Sequence, residues 1–363
     1  MLALAKVLIP IIFLAFLKTY PALASDKCGE VNLAAPGEYF NKVPVMDQAS
    51  SQICYAFTAS QLIGFLLVQG KSFFKAMPFI QEVNPYSIAI RYAKAFNHKD
   101  LYQGGVACKA MRNVAGSFVC KKDKGFSSEM EILILSRKFE NCLKFKDVNC
   151  VEILERYSFI SEQQLYQLST TDFVALVEEN TCLKKDRVFV PTSVNCDYTN
   201  DETKKSSYFW DQTNLSLNEK FPVELGLSNY LFSYKSLQRD LYKIDRSRVW
   251  DSLEFSLRYL PHSVLVIGRK LNKKTKKCQY LVRNTMGRSW CPKGVVDKRR
   301  WDCDFKSGGI WINDKELFDA TFQVSTIKNQ NNRSAHDFKR LFNQSFDVRE
   351  ITPMTLDTLK IDL

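Results

Sequence analysis

The chain has 363 residues, 45% of them apolar and 25% charged, which fits a globular protein with a real core and excludes a disordered one. Its formal charge of +12 falls to +10 once Lys6 and Lys18 leave with an N-terminal signal, modest for this length. No nucleic-acid-binding motif accompanies that charge, so nucleic acid is not an expected partner.

Residues 1–24 carry Lys6 in a short basic start, the apolar run Val7 to Leu17 and the small-residue site Ala22-Leu23-Ala24, the parts of a cleavable signal peptide. The apolar run is eleven residues, too short to span a bilayer. No later stretch approaches eighteen apolar residues, so the mature chain is expected to be exported, secreted or periplasmic, with no stable membrane insertion. Next comes a polar loop, Pro44 to Ile53, with Gln48 six positions before Cys54. Ala56, Phe57, Ala59, Leu62, Ile63, Leu66 and Leu67 then recur at helical spacing as far as Gly70, which puts Cys54 in the first turn of a helix. Unpaired N–H groups and the positive end of the helix dipole favour thiolate there, lowering a pKa that starts near about 8.5. On the helix alone, a buried small hydrophobe or half of a disulfide fits Cys54 as well.

Met130 to Phe139 and Glu162 to Glu178 read as helices, Pro191 to Lys205 as a polar loop and Phe221 to Leu227 as a strand. A cysteine nucleophile needs an imidazole, and there are three histidines. His98 lies in a charged stretch and His336 in a polar tail, both expected to be solvated. His262 instead heads the buried-strand run Ser263 to Gly268. After the turn Asn272 to Lys277, a second strand, Gln279 to Arg283, ends at Asn284. An antiparallel pair of this kind makes His262 and Asn284 neighbours, so the Asn oxygen can accept from the imidazole and fix its tautomer. Gly309 to Ile312 reads as a closing strand, and a polar tail follows residue 327.

Of the eleven cysteines, setting Cys54 aside leaves an even ten, which in an exported chain suggests five disulfides and one free thiol. Pairing sequence neighbours gives Cys108–Cys120, Cys142–Cys150, Cys182–Cys196 and Cys291–Cys303, leaving Cys28 for Cys278, although sequence does not fix connectivity. No Cys-x-x-Cys pair supports zinc, so neither a metal nor a cofactor is expected. Sequons stand at Asn214, Asn332 and Asn343, glycan sites only in a host that glycosylates exported proteins. The lysine clusters Lys121 to Lys124, Lys184-Lys185, Lys204-Lys205 and Lys273 to Lys277 have the pattern of solvated loop tips.

The segment Gln48 through Phe57, the strand opened by His262-Ser263-Val264 and the turn Asn284-Thr285-Met286-Gly287-Arg288-Ser289-Trp290 together resemble the papain-like cysteine peptidases, in their order and context. Gln48, Cys54, Ala56 and Phe57 match that family's nucleophile pattern in register. Gly104-Gly105 and Gly125 to Glu129 are weaker echoes. Ala49 and Gln52 replace glycines, Ser51 a disulfide cysteine, Tyr55 the tryptophan after the nucleophile, and Met286 the tryptophan that shields the His–Asn contact. None of these changes removes a catalytic atom. The resemblance implies an α+β, two-lobed fold with a helical lobe over about 50–220, a strand-rich lobe over about 221–326 and a cleft between them. The 208 residues from Cys54 to His262 exceed the family's spacing of about 130–150, placing an insertion near 130–220. It also implies a monomeric peptidase acting on protein or peptide substrates. In that reading Cys54 is the nucleophile, His262 the proton partner, Asn284 the orienting group and Gln48 the oxyanion donor. A cleft that binds polypeptide without cutting it is the alternative. No family-like inhibitory prosegment is expected, because Pro44-Val45 already matches the family's mature start.

Overall fold

The computed structural model describes residues 28–48, 53–69, 82–98, 104–122, 124–126, 128–146, 148–192, 196–200, 206–232, 243, 261–287, 301–304 and 306–327. The signal segment, residues 49–52, Cys291, His336 and the sequons at Asn332 and Asn343 lie outside them. From the N-terminus run a two-residue strand β1 (Val31–Asn32), a single-turn helix α1 (Tyr39–Lys42) and the sixteen-residue helix α2 (Cys54–Gln69). Every residue of α2 from Cys54 to Phe65 is buried, which makes it a central helix rather than a surface one. Its polar side chains therefore need internal partners. Thr58 Oγ1 donates to the Ser263 carbonyl at 3.4 Å, Ser60 Oγ to the Val83 carbonyl at 2.5 Å, and Gln61 Oε1 accepts from Arg283 Nε at 2.8 Å.

Helices α3 (Pro85–Ala95) and α4 (Ala107–Val114) pack against α2 and against each other. Asn84 caps α3 by accepting from Tyr86 N–H, with Pro85 at the first helical position, where its missing N–H costs nothing. After β2 (Phe118–Cys120) come α5 (Glu129–Phe145), α6 (Val148–Arg156), α7 (Glu162–Leu165), α8 (Thr170–Thr181) and β3 (Arg187–Phe189). The expected helix from Glu162 to Glu178 is thus two helices. Ser161 forms a capping box with Gln164, and Ser169 starts a second helix by accepting from Asp172 N–H. β2 and β3 form a small antiparallel ribbon.

The remaining strands build one antiparallel sheet in the order β4-β10-β5-β6-β7-β9-β8, with β1 added beside β6. They are β4 (Cys196–Asn200), β5 (Val223–Ser228), β6 (Pro261–Leu271), β7 (Cys278–Arg283), β8 (Asp302–Asp304), β9 (Gly309–Asn313) and β10 (Thr321–Ile327). β5, β6 and β7 are buried almost end to end, as a sheet covered on both faces requires. Helices α9 (Ser206–Asn218) and α10 (Asp314–Asp319) pack together and against the sheet. Arg269 and Tyr280 on the sheet both donate to Asn214 Oδ1 of α9, the phenol at 2.9 Å, so this sequon asparagine is buried and its Nδ2 has no partner.

The fold is therefore α+β, helices around a central helix on one side and an antiparallel sheet on the other. Two expectations need correction. The stretch from Pro191 to Lys205 contains the edge strand β4, and α9 packs on the sheet, so sheet-associated structure begins near Cys196 rather than near Phe221. β4 is only five residues long and lacks an apolar run; it is held by pairing with β10 and by a disulfide, neither visible locally. The cysteines pair as Cys28–Cys278 and Cys142–Cys150, as expected, but also as Cys108–Cys196 and Cys120–Cys182. Sequence proximity fails for those four because the β2–β3 ribbon and β4 bring distant segments together. Cys303 is also disulfide-bonded, and Cys54 is the free cysteine among the described residues.

Candidate active site

Cys54 is the first residue of α2, where the sequence puts it, and is 8% exposed. The start of α2 packs on the strand that carries His262, through the Thr58 bond to the Ser263 carbonyl. His262 Nε2 lies 2.7 Å from Asn284 Oδ1, both residues being buried. An amide oxygen only accepts, so Nε2 carries the proton and Nδ1 is left with its lone pair. Phe232 stands edge-on to the imidazole with ring centroids 6.1 Å apart and limits its rotation. Of the other histidines, His98 is not solvated as expected: it is half-buried just past α3, its ring edge-on to Tyr92 at 5.5 Å.

Gln48 reaches the site on a strap formed by the N-terminal segment. Gln48 N–H donates to the Thr285 carbonyl at 2.7 Å, Asp47 and Met286 form an antiparallel bridge, and Gly287 N–H donates to the Met46 carbonyl at 3.1 Å. Gly287 has φ +75, and a Cβ there would meet Asp47 Oδ2 at 2.7 Å, so glycine lets the two segments close up. The Thr285 hydroxyl donates to Gln48 Oε1, which fixes the amide with its NH₂ end as the remaining donor. Thr285 N–H also donates to Asn284 Oδ1 at 2.7 Å. Thr285 thus joins the amide of Gln48 to the oxygen that holds His262. The sequence reading did not single it out, although a hydroxyl directly after Asn284 was a usable signal.

Tyr55 is buried against Tyr92 with centroids 4.9 Å apart. Gly105 packs on its ring, where a Cβ would come within 2.8 Å, whereas a Cβ on Gly104 would meet nothing within 4 Å.

The electrostatics depart from the sequence expectation. Burial pushes the Cys54 thiol up to about 11; the backbone amides of Ser263, Tyr55 and Cys54 oppose this, and the nearby Glu224 carboxyl adds to it. Burial pushes His262 below its usual range, against the Asn284 hydrogen bond. Burial thus opposes the charged form of each group. The helix N-terminus does lower the thiol, but desolvation of a buried sulfur outweighs it.

The chain is similar in fold to cysteine proteases. Amb a 11, a cysteine protease and major ragweed pollen allergen, solved in its proform, is 11% identical with a TM-score of 0.42, over 84% of this chain and 66% of that one. The chain thus spans just under two thirds of that proform. Xylellain, a cysteine protease from Xylella fastidiosa, is 14% identical with a TM-score of 0.42, over 83% of this chain and 85% of that one. No protein-family model and no curated protein matches the chain. At these identities the likeness concerns architecture alone, and the chemistry rests on the residues described above.

Cys120, Glu178 and Cys182 bring three potential metal-ligating atoms within 4.8 Å, all buried. The two sulfurs are bonded to each other, so neither is available as a thiolate ligand. Among the described residues no helix is long and apolar enough to cross a membrane.

Proposed function

We propose that the chain is a papain-like cysteine peptidase that hydrolyses peptide bonds in polypeptides. One observation carries the reading: the 2.7 Å bond from His262 Nε2 to Asn284 Oδ1, on a strand packed against the helix that begins with the free Cys54. The neutral imidazole takes the thiol proton at Nδ1 as sulfur attacks the carbonyl carbon, and Asn284 stabilises the resulting imidazolium. The oxyanion is held by the Gln48 amide and the Cys54 backbone N–H, each such donor being worth about 10²–10³ in turnover. Collapse of the intermediate expels the amine, which takes the proton from His262 and leaves a thioester. Water, deprotonated by the same imidazole, then releases the acid and restores the thiol. The disulfides support action in an oxidising compartment, reached by way of the signal segment over residues 1–24.

A second reading is a cleft that captures polypeptide without cleaving it, favoured by the burial that raises the Cys54 thiol. The two are separated by incubating residues 25–363 with a denatured protein such as casein. A peptidase converts casein to peptides, and Cys54→Ala abolishes this. If wild type and Cys54→Ala both leave casein intact, the peptidase reading is wrong and the binding reading stands.

A further inference from the structure

The β6–β7 hairpin carries His262 and Asn284 at one end and, at the other, a cationic turn that the proposed reaction does not use. Between the strands run Asn272-Lys273-Lys274-Thr275-Lys276-Lys277, and all four lysines are exposed. Backbone bonds pin this turn. Asn272 Oδ1 accepts from Lys274 N–H at 2.9 Å and from Thr275 N–H at 3.1 Å, Asn272 N–H donates to the Lys277 carbonyl at 2.9 Å, and Lys276 N–H donates to the Asn272 carbonyl at 2.8 Å. Its base is closed by the Leu271–Cys278 pair and the Cys28–Cys278 disulfide. Lys270 adds a fifth ammonium, 3.9 Å from the centre of the Trp311 ring, and Leu271 beside it is 42% exposed. Among the described residues no ion pair involves any of these five lysines. The charged neighbours are Glu30, one residue ahead of β1, and Asp314 and Lys315 at the start of α10, which packs on β7; Lys315 is paired with Asp319. Arg269 is buried and directs its donors to the Gly29 carbonyl, Asn214 and Asn218. The tip therefore keeps a net positive charge.

We propose that this turn is a docking prong for an anionic lipid surface. Lysine ammoniums are compact, hydrated point charges without the planar fork of arginine, so they suit the diffuse field of many headgroup phosphates rather than one recognised group. A hairpin tip is convex and has no walls with which to enclose a small anion. The exposed Leu271 adds apolar surface that the boundary of a bilayer accepts and a hydrophilic polyanion does not. Because the turn is already fixed by its own backbone bonds and by the disulfide at its base, docking orders little beyond the lysine side chains. The place of the prong matters as much as its charge. Asn272 lies ten residues beyond His262 along β6, which at a rise of about 3.3 Å per residue puts the tip about 30 Å from the imidazole. A chain docked by this tip therefore holds His262 and Asn284 away from the lipid, on the side open to polypeptides in solution.

The test reads binding and not cleavage, so a protein that cuts nothing still reports on it. Residues 25–363 are sedimented with vesicles of phosphatidylcholine alone and with vesicles of equal parts phosphatidylcholine and phosphatidylglycerol. Binding is expected to the anionic vesicles only, and to vanish in about 1 M salt, where the screening length is about 3 Å. Changing Lys273, Lys274, Lys276 and Lys277 together to Gln should weaken it about 10²–10³-fold, at about fivefold for each lysine near the surface. These side chains are exposed and the turn is held by backbone atoms and Asn272, so the variant should keep the melting temperature of the wild type. A control of equal charge changes four exposed lysines elsewhere, Lys144, Lys184, Lys220 and Lys306, to Gln and should bind almost as the wild type does. Equal loss in the two variants overturns the proposal, because net charge and not the prong would then be responsible. So does wild-type protein that ignores anionic vesicles, including protein that is retained on immobilised heparin, which would make the partner a soluble polyanion.

Discussion

Thr285 is the residue on which the candidate site's two halves meet. Its carbonyl and hydroxyl hold Gln48, while its N–H donates to the Asn284 oxygen that also accepts from His262. Loss of the hydroxyl frees the Gln48 amide to turn, so Thr285→Val should lower kcat about 10²-fold, the scale of one lost oxyanion donor, with little change in KM. Thr285→Ser keeps the hydroxyl and should restore most of the rate. Steady-state kinetics on a peptide substrate decide the matter, and equal loss in both variants would mean that the methyl packing, not the hydrogen bond, was at stake. The same residue shows how far a sequence can be read. Cys54, His262 and Asn284 stood out because each opens or closes an apolar element. Thr285 acts through contacts with Gln48, far away in the chain; the hydroxyl beside Asn284 is visible in the sequence, but its partner is not. The direction in which Cys54 is pushed is hidden for a related reason: a helix terminus is visible in sequence, whereas desolvation depends on everything packed over the sulfur.

The β5–β6 pair holds two buried titratable groups whose folded pKa values move in opposite directions. His262 lies below its ordinary 6.5, so its contribution to stability is complete above that pH and is lost as pH falls through the folded value. Glu224 lies above its ordinary 4.5, so its contribution is complete below that pH and is lost as pH rises through the folded value. No pH has both contributions complete: that of His262 is whole only above 6.5 and that of Glu224 only below 4.5, so each shapes its own limb of the stability profile. Melting temperatures across pH 4 to 9, a range on the order of that spanned by these groups, should show a flatter alkaline limb for Glu224→Gln and a flatter acid limb for His262→Gln. Limbs parallel to wild type would mean that neither group titrates in the folded protein. β6 is legible in sequence because Val264 to Ile267 form an apolar, mostly β-branched run, and β5 because Val223, Leu225 and Leu227 alternate with other residues. The edge strand β4 is not: five residues that include Asp197 and Thr199 become a strand through β10 and the Cys108–Cys196 bond.

Across the whole molecule, the N-terminal segment binds the sheet to the central helix. β1 pairs with β6, Cys28 is bonded to Cys278, and buried Arg283 donates to the Phe40 and Val43 carbonyls as well as to Gln61. Gln48 lies at the end of this strap, so its position depends on contacts made by residues twenty before it in sequence. The buried Asn214 has a different kind of consequence, one that concerns the order of events during synthesis. Its side chain is enclosed between α9 and the sheet, in the grip of Arg269 and Tyr280. Oligosaccharide transfer in a eukaryotic secretory pathway acts on the chain before such an interface closes, and a glycan on Asn214 leaves no room for α9 to dock. Made with a eukaryotic leader in yeast, the chain should therefore be retained and carry sugar at Asn214. Ser216→Ala, which removes the sequon and only a 3.4 Å hydrogen bond to the Phe221 carbonyl, should restore secretion, whereas removing the sequons at Asn332 and Asn343 should not. Secreted yield and intact mass decide between these outcomes. The same burial that joins α9 to the sheet would thus make Asn214 a point at which folding and glycosylation compete.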